Sequence, residues 1–457
     1  MFISTHLRKV IKCFVVASVI ILSSCQQEEL FEKEPSDLFS STMFENGQAI
    51  EGQYIVVLRG NLQEFSNQEA TQSSGSTFSG LRSQTMQAAQ INEKEVLHRF
   101  DGIVNGFAAR LTAVQVEQLI RNPNVAYIEQ DRYIMLRSGK LREFLNGLKS
   151  GKGKGGAATP SPEPIPTPTP TPTEPITEPT PPATIPAEPV VTPPGVYTTI
   201  TPMAGEQIPW NIDRVGYGDG TGKTVWIIDS GIDTNHPDLN VDLNRSVSFI
   251  HGNSSVEDGF GHGTSVAGII GAKNNGSGMI GVASNASIVA LRVFDDVGQG
   301  SISRVISAVN HASIHAKPGD VINMSLGSGI STTLDNAVKA AAGKGILFAV
   351  AAGNTGIDCA GTSPARIEAG GVYTVSAMDS FNRLWISSNY GAAVDFAAPG
   401  VNVTVTTKGG GIGGGGNGTS FAAPHVAGIL LLRGSVNSQG TITGDKDDKP
   451  DPIASLR

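Results

Sequence analysis

Three short segments of this 457-residue chain carry residue types that could perform acyl transfer. In Gly418-Thr419-Ser420-Phe421-Ala422-Ala423-Pro424-His425 a serine follows a Gly-Thr turn and opens a small-residue helix whose first turn contains a proline. A hydroxyl there lies beside free backbone N–H groups and the positive end of the helix dipole, which favour developing negative charge. In Val225-Trp226-Ile227-Ile228-Asp229-Ser230-Gly231 an apolar, β-rich run ends in an acid, so Asp229 belongs at the carboxyl end of a buried strand. In Gly261-His262-Gly263-Thr264-Ser265 a histidine between two glycines opens a second helix. Each segment has an ordinary reading of its own: an N-cap serine, a turn-forming aspartate, a structural histidine. Together, in the order Asp, His, Ser, they point to a nucleophile and its base. Ser420 would attack a carbonyl, His262 would take its proton, and Asp229 would hold the imidazole tautomer and the imidazolium that forms.

At this level of detail the chain resembles the subtilisin family of serine proteases, over roughly Glu206 to Arg433. Ala351-Ala352-Gly353-Asn354, after the apolar strand Ile346-Leu347-Phe348-Ala349-Val350, matches the family's oxyanion segment. The resemblance makes the Asn354 side-chain NH2 and the Ser420 backbone N–H the donors for an oxyanion. Asp358-Cys359, Ser363-Pro364-Ala365-Arg366, Ser388-Asn389-Tyr390-Gly391 and Asp395-Phe396-Ala397-Ala398-Pro399-Gly400 look like the proteinase K branch. The Gly-x-Ser-x-Gly elbow of the α/β-hydrolases is absent, so a lipase-like reading has no anchor. The resemblance also implies a specificity pocket between Ser325-Leu326-Gly327 and Ala352-Gly353, with Gly298 and Gly300 forming the edge that pairs with an extended substrate. Small residues and no acid in these segments predict an apolar or aromatic residue before the scissile bond. Main-chain pairing predicts broad endopeptidase action on proteins and peptides. A calcium site is implied at Asp238 and Asn275, with Glu206 where the family often has a glutamine ligand; no organic cofactor is expected. Hard oxygen ligands of this kind suit calcium.

The residues ahead of this region read as export and restraint. His6, Arg8, Lys9 and Lys12 precede an apolar run from Phe14 to Leu22, the pattern of a secretory signal over residues 1–24. Leu22-Ser23-Ser24-Cys25 resembles a bacterial lipobox, which would make Cys25 a lipidated residue tying the chain to a membrane through residues 25–50. Strands at Tyr54–Leu58, Gly102–Leu111 and Val125–Asp131 surround a helix from Thr112 to Ile120, where Thr112 and Gln115 fit a capping box. Residues 51–136 thus resemble the inhibitor propeptide of subtilisins. Residues 137–205 turn Gly/Lys-rich and then Pro/Thr-rich, an extended spacer that cannot bury a core.

Composition agrees with an exported enzyme. The net charge of -8 and the lack of a basic field on the catalytic half argue against a nucleic-acid partner. Of three cysteines, Cys13 falls in the signal and Cys25 in the lipobox, which leaves Cys359 alone. Strands near 224–228, 288–293, 321–324 and 346–351 alternate with helices opening near His262, Ser301, Thr333 and Ser420. That alternation predicts an α/β fold, a parallel sheet with helices on both faces; the resemblance implies a subtilisin-like three-layer form of it, preceded by a small α+β (ferredoxin-like) domain, and a monomer is expected. The nearly unbroken glycines from 409 to 416 predict a flexible approach to Ser420. Residues 434–457 read as a polar, acidic tail. A sheet left incomplete by that short tail would favour an alternative, a catalytically weak protein-binding module.

Overall fold

The computed structural model describes residues 45–60, 74–136 and 197–457. The signal segment, Cys25 and most of the tether and spacer lie outside the described residues. The N-terminal domain runs β1 (Ala49–Leu58), α1 (Ser74–Ala88), β2 (Val96–Asp101), β3 (Asn105–Arg110), α2 (Ala113–Ile120) and β4 (Val125–Met135). Its strands pair antiparallel in the order β4-β1-β3-β2. Helix α2 begins where the capping box predicts: the Gln115 N–H donates to the Thr112 hydroxyl, and the Thr112 N–H donates to the Gln115 side chain. Val56, Phe107 and Leu119 are fully buried in this domain's core.

The larger domain contains β5 (Thr224–Asp229), β6 (Val247–Ser248), α3 (His262–Gly271), β7 (Ser287–Arg292), β8 (Gln299–Ser301), α4 (Ile302–His315), β9 (Val321–Met324), α5 (Thr332–Ala342), β10 (Leu347–Ala351), β11 (Val372–Met378), β12 (Phe396–Pro399), β13 (Val403–Thr407), β14 (Gly411–Gly416), α6 (Thr419–Arg433), β15 (Asn437–Thr441) and β16 (Pro452–Ser455). Nine strands form one sheet in the order β15-β16-β12-β11-β10-β9-β5-β7-β6, parallel throughout except for the β15/β16 pair. Strand β5 shows why three layers form. Val225 and Ile227 enter the core beneath α3 and α6, whereas Trp226 and Ile228 enter the core beneath α4 and α5. A strand buried on both faces needs a continuous apolar run, which Val-Trp-Ile-Ile supplies. The chain leaves β5 for β7 on one side and later returns to β9 on the other. Asp229 therefore ends the strand at the sheet's topological switch point, where open α/β sheets form their crevice.

Three expectations need correction. Residues 434–457 are not a loose tail: β15 and β16 extend the sheet, Ile442, Ile453, Ala454 and Leu456 are buried, and Arg433 at the end of α6 donates to the Leu456 carbonyl at 2.9 Å. These residues add two strands to the sheet, so the exposed sheet that motivated the binding-module alternative is not seen at this edge. The glycine run is ordered as β14, paired antiparallel with β13, because a ladder of backbone N–H and C=O groups needs no side chains. Pro424 lies inside α6 in its second turn, not its first.

Candidate active site

Asp229, at the end of β5, is 1% exposed and places both carboxylate oxygens 2.9 Å from His262 Nδ1. His262 is the first residue of α3, after Gly261 at a left-handed φ of 101°. A proton on Nδ1 is fixed by this contact, and Nε2 is left free to accept one. Burial alone would lower the pKa of His262. The neighbouring Asp229 carboxylate, by charge and hydrogen bond, and then the charge of Asp258 outweigh it and hold the value above the ordinary imidazole range.

Ser420 is the second residue of α6, and its N–H has no intrahelical acceptor. Two reciprocal bonds tie it to Ser325, just past the end of β9. The Ser420 hydroxyl donates to the Ser325 carbonyl at 3.2 Å, and the Ser325 hydroxyl donates to the Ser420 carbonyl at 2.7 Å. The second bond has a clear cause. Pro424 lacks the N–H that would meet the Ser420 carbonyl four residues back, so the Ser325 hydroxyl takes that place. The next residue of α6, Phe421, packs its ring 5.6 Å from that of His262, centroid to centroid. The structure thus gathers Asp229, His262 and the N-terminus of α6 at one end of the sheet, with the serine hydroxyl turned onto Ser325.

Asn354 follows β10, and its orientation is set by Thr419. The Asn354 Oδ1 accepts from the Thr419 N–H at 2.8 Å and from the Thr419 hydroxyl at 2.9 Å, and that hydroxyl accepts from the Gly353 N–H at 3.1 Å. With its oxygen held, the amide must turn its NH2 the other way. A β-carbon on Gly418 would stand 3.5 Å from Asn354 Nδ2 and 3.7 Å from Ser420 N, so the two donors border one small space. Such a space can hold an oxyanion. Sequence reasoning misses Thr419, although its place before the serine is an available signal.

The expected groove is occupied by the N-terminal domain. Strand β4 pairs antiparallel with β8, with Gly300 opposite Ile134 and Gln299 opposite Met135, and the Leu136 N–H donates to the Gly298 carbonyl at 2.9 Å. On the other side Asn46 bridges the Met135 N–H to the Gly327 carbonyl, and the Ser328 hydroxyl donates to the Tyr133 carbonyl. A side chain at Gly298 would meet Phe260 at 2.9 Å and the Leu136 carbonyl at 3.1 Å, so this edge must be bare backbone. At Leu136 the segment reaches the corner formed by Gly298 and Phe260. Leu326 is buried in the same apolar cluster as Ile134 and Leu136. Ala352 is fully buried, with its carbonyl accepting from Asn389 at 3.0 Å, while Gly353 is half-buried beside it.

Two acids of β4 add to this contact. Asp131, fully buried, accepts from the Ser303 N–H and hydroxyl in the first turn of α4. Glu129 accepts from the Thr333 N–H at 3.0 Å and hydroxyl at 2.7 Å in the first turn of α5. Carboxylates at helix N-termini satisfy free donors and complement the dipole.

The proposed metal ligands also come together, with one change. The Asp238 oxygens accept from the Met279 N–H at 3.0 Å and from Asn275 Nδ2 at 3.2 Å. Asn275 therefore turns its NH2 to Asp238, and its oxygen is taken by the Ser277 N–H and hydroxyl, so the expected oxygen ligand is not presented here. Glu206 accepts from the Asn275 and Gly276 N–H groups through one oxygen and leaves the other buried without a partner. Burial, with the Glu206 charge nearby, pushes the Asp238 carboxyl up to about 7. Two crowded carboxylates, one with an orphaned oxygen, fit a cation of the hard, oxygen-binding kind. Among the described residues no group of three or more His, Cys, Asp or Glu gathers to hold a metal, so neutral oxygens would complete the shell.

Comparison with known proteins follows the same division of the chain. The family model described as "Subtilase family" matches residues 220–444, and the one described as "Peptidase inhibitor I9" matches residues 53–137. An "Alkaline protease" of Alkalihalobacillus alcalophilus is 41% identical over 241 residues, 51% of this chain and 61% of that protein. The chain thus spans less than two thirds of that relative's length. "Alkaline serine exoprotease A" of Vibrio alginolyticus is 30% identical over 465 residues, 94% of this chain and 71% of that protein. A solved structure described as a cold adapted subtilisin-like serine proteinase shares 36% identity, covers 54% of this chain and 97% of its own, and gives a TM-score of 0.47. Similarity running through both domains to the Vibrio protein places the chain in the subtilase family.

Proposed function

We propose that the chain is the precursor of an exported serine endopeptidase that cleaves proteins through an acyl-enzyme on Ser420. The observation that carries this reading is the Asp229 carboxylate held 2.9 Å from His262 Nδ1 beside the helix that bears Ser420. Rotation about χ1 takes the Ser420 hydroxyl from the Ser325 carbonyl to His262 Nε2, which accepts its proton as the oxygen attacks. The oxyanion lodges between Asn354 Nδ2 and the Ser420 N–H. His262 then gives its proton to the leaving amine, and water repeats the sequence to free the acyl group. Residues 51–136 act as the propeptide: β4 lies on the Gly298–Gly300 edge that an extended substrate would use, so the precursor inhibits itself. The cut that frees the enzyme falls between about Leu136 and Gly205. Ser325, Leu326, Gly327, Ala352 and Gly353 frame the pocket for an apolar or aromatic residue. The Ser-Pro-Ala-Arg and Asp-Phe-Ala-Ala-Pro-Gly segments favour a proteinase K-like placement within the family.

Activity should follow the titration of His262. The imidazole must be neutral to accept a proton, and its value is raised, so activity is lost as pH falls through a midpoint above the ordinary imidazole value of about 6.5. The acid limb of kcat/KM for a peptide substrate measures it; a limb below that value contradicts the proposed Asp229–His262 coupling.

Asp238 and Glu206 are proposed to hold a structural calcium ion, with neighbouring carbonyls. A raised carboxyl pKa means that metal-free stability is full below the unfolded-state value and is lost as pH rises through about 7. Chelation is therefore expected to lower Tm by roughly 5–10 °C in the alkaline range and by less in acid. Restored calcium should reverse the loss and magnesium should not. A Tm indifferent to chelation at alkaline pH would rule out the metal.

Cys25 is proposed to carry the lipid that holds the precursor at the outer membrane or cell surface until cleavage releases the enzyme. Mass spectrometry of the precursor's N-terminal peptide tests this: a lipid adduct on Cys25 supports it, and an unmodified peptide that keeps residues 1–24 or starts elsewhere rules it out.

A further inference from the structure

A second carboxylate lies buried beside the histidine and has no part in the three-residue scheme. Asp258 sits in the loop before α3 and is 3% exposed. Its Oδ1 accepts from the Ser230 hydroxyl at 2.8 Å, the Phe260 N–H at 3.2 Å and the Gly261 N–H at 2.6 Å. Its Oδ2 accepts from the Thr264 N–H at 2.8 Å and the Thr264 hydroxyl at 2.6 Å. Each of these contacts can be met by a donor, the pattern an ionised, acceptor-only carboxylate satisfies.

Where the donors come from matters more than how many there are. Gly261 and Thr264 bracket His262, so one carboxylate fastens the backbone on both sides of the imidazole. Ser230 follows Asp229 directly. Its N–H donates to Asp229 Oδ1 at 2.7 Å, and its hydroxyl accepts from the Gly263 N–H at 3.0 Å. A continuous thread thus runs from Asp258 through Ser230 to Asp229 and on to His262. There is no slack in this corner: a β-carbon on Gly263 would stand 2.1 Å from the Gly231 carbonyl oxygen.

We propose that Asp258 is a positioning residue of the reaction, fixing the first turn of α3 against the Asp229 turn and setting a second negative charge beside the imidazole. This rests on the endopeptidase reading. As Ser420 attacks, the imidazolium is then stabilised by two carboxylates, one in contact with Nδ1 and one bound to the backbone on either side of His262. The titration of His262 agrees: against the lowering effect of burial, Asp229 and then Asp258 raise it. Among the described residues, Asp229 and Asp258 are the charges that act on the His262 titration. Helix α6 presents Ser420 and Phe421, and Lys408, which leads from β13 toward β14, directs its ammonium to the Gly259 carbonyl at 2.7 Å.

The test is the pH dependence of kcat/KM for Asp258→Asn in the matured enzyme, with active sites counted by a serine-directed covalent inhibitor. The acid limb is expected to move down by roughly 0.5–1 pH unit, with kcat falling and KM unchanged. A folded, fully titratable variant with the wild-type acid limb overturns the proposal. If Asp258→Asn does not fold, Thr264→Val and Thr264→Ser decide. Valine removes the hydroxyl that donates to Asp258 and accepts from the Asp233 N–H, and is expected to lower kcat about tenfold at constant KM, and serine, which keeps both contacts, to restore it; a valine variant with wild-type kcat overturns the proposal. Wild-type protein that takes no covalent label contradicts the endopeptidase reading itself, a result separate from either variant's failure.

Discussion

Replacing Ser420 by alanine is expected to abolish proteolysis and to leave the precursor uncut between its two domains. Alanine removes the only atom proposed to bond to the substrate carbon. It leaves Asn354, the Ser420-position N–H and the groove in place. The loss should be on the order of 10⁶ in kcat, the scale known for the nucleophilic serine of subtilisin itself. The fold should survive, because the Ser420 hydroxyl makes a single 3.2 Å bond to the Ser325 carbonyl while the backbone bond from the Ser325 hydroxyl is untouched. Gel analysis of the expressed chain reads both effects at once. A precursor that still matures alone, at low concentration, would show that the cut is made by another protease or another residue.

Asn354→Ala has the second-largest expected effect, and it separates transition-state stabilisation from binding. The asparagine oxygen is fully engaged with Thr419, so its NH2 is aimed before substrate arrives and needs no reorganisation during reaction. Removal should lower kcat by ~10²–10³ with little change in KM; that range is the one known for the corresponding subtilisin residue. Loss of the asparagine also strands the Thr419 N–H. A fall in Tm of a few degrees should therefore accompany the kinetic change, and Asn354→Gln should recover neither because its longer arm cannot keep both contacts. An Asn354→Ala enzyme that loses affinity but keeps kcat would move the residue from the oxyanion to the substrate pocket.

The groups proposed for the chemistry are legible because each lies in a short motif where local structure and chemistry coincide. Asp229 ends a run that has to be a buried strand. His262 and Ser420 stand within one residue of helix starts that glycines announce. The Thr112–Gln115 box marks α2 for the same reason. What is not legible depends on partners far along the chain or on surfaces without an apolar pattern. Asp131 and Glu129 cap helices 172 and 204 residues away, and no local rule links them. Asp258 reads as one more loop acid until Ser230 and Thr264 are seen around it. Strand β15 is mostly exposed and reads Asn-Ser-Gln-Gly-Thr, so it carries no alternation, and β14 is almost all glycine. Their pairing comes from neighbouring backbone, which composition does not display. The Ser325–Ser420 exchange shows both sides of this. Pro424 is visible as an oddity in a helix, but the hydroxyl that answers it can be found only in three dimensions.

The most direct measurement is mass spectrometry of the matured wild-type protein after reaction with a serine-directed phosphonylating reagent, alongside a casein-cleavage assay. One adduct is expected, on the peptide containing Ser420, with loss of cleavage in proportion to labelling. Stable protein that carries no adduct at Ser420, or that cleaves casein undiminished after full labelling, would contradict the assignment of Ser420 as nucleophile.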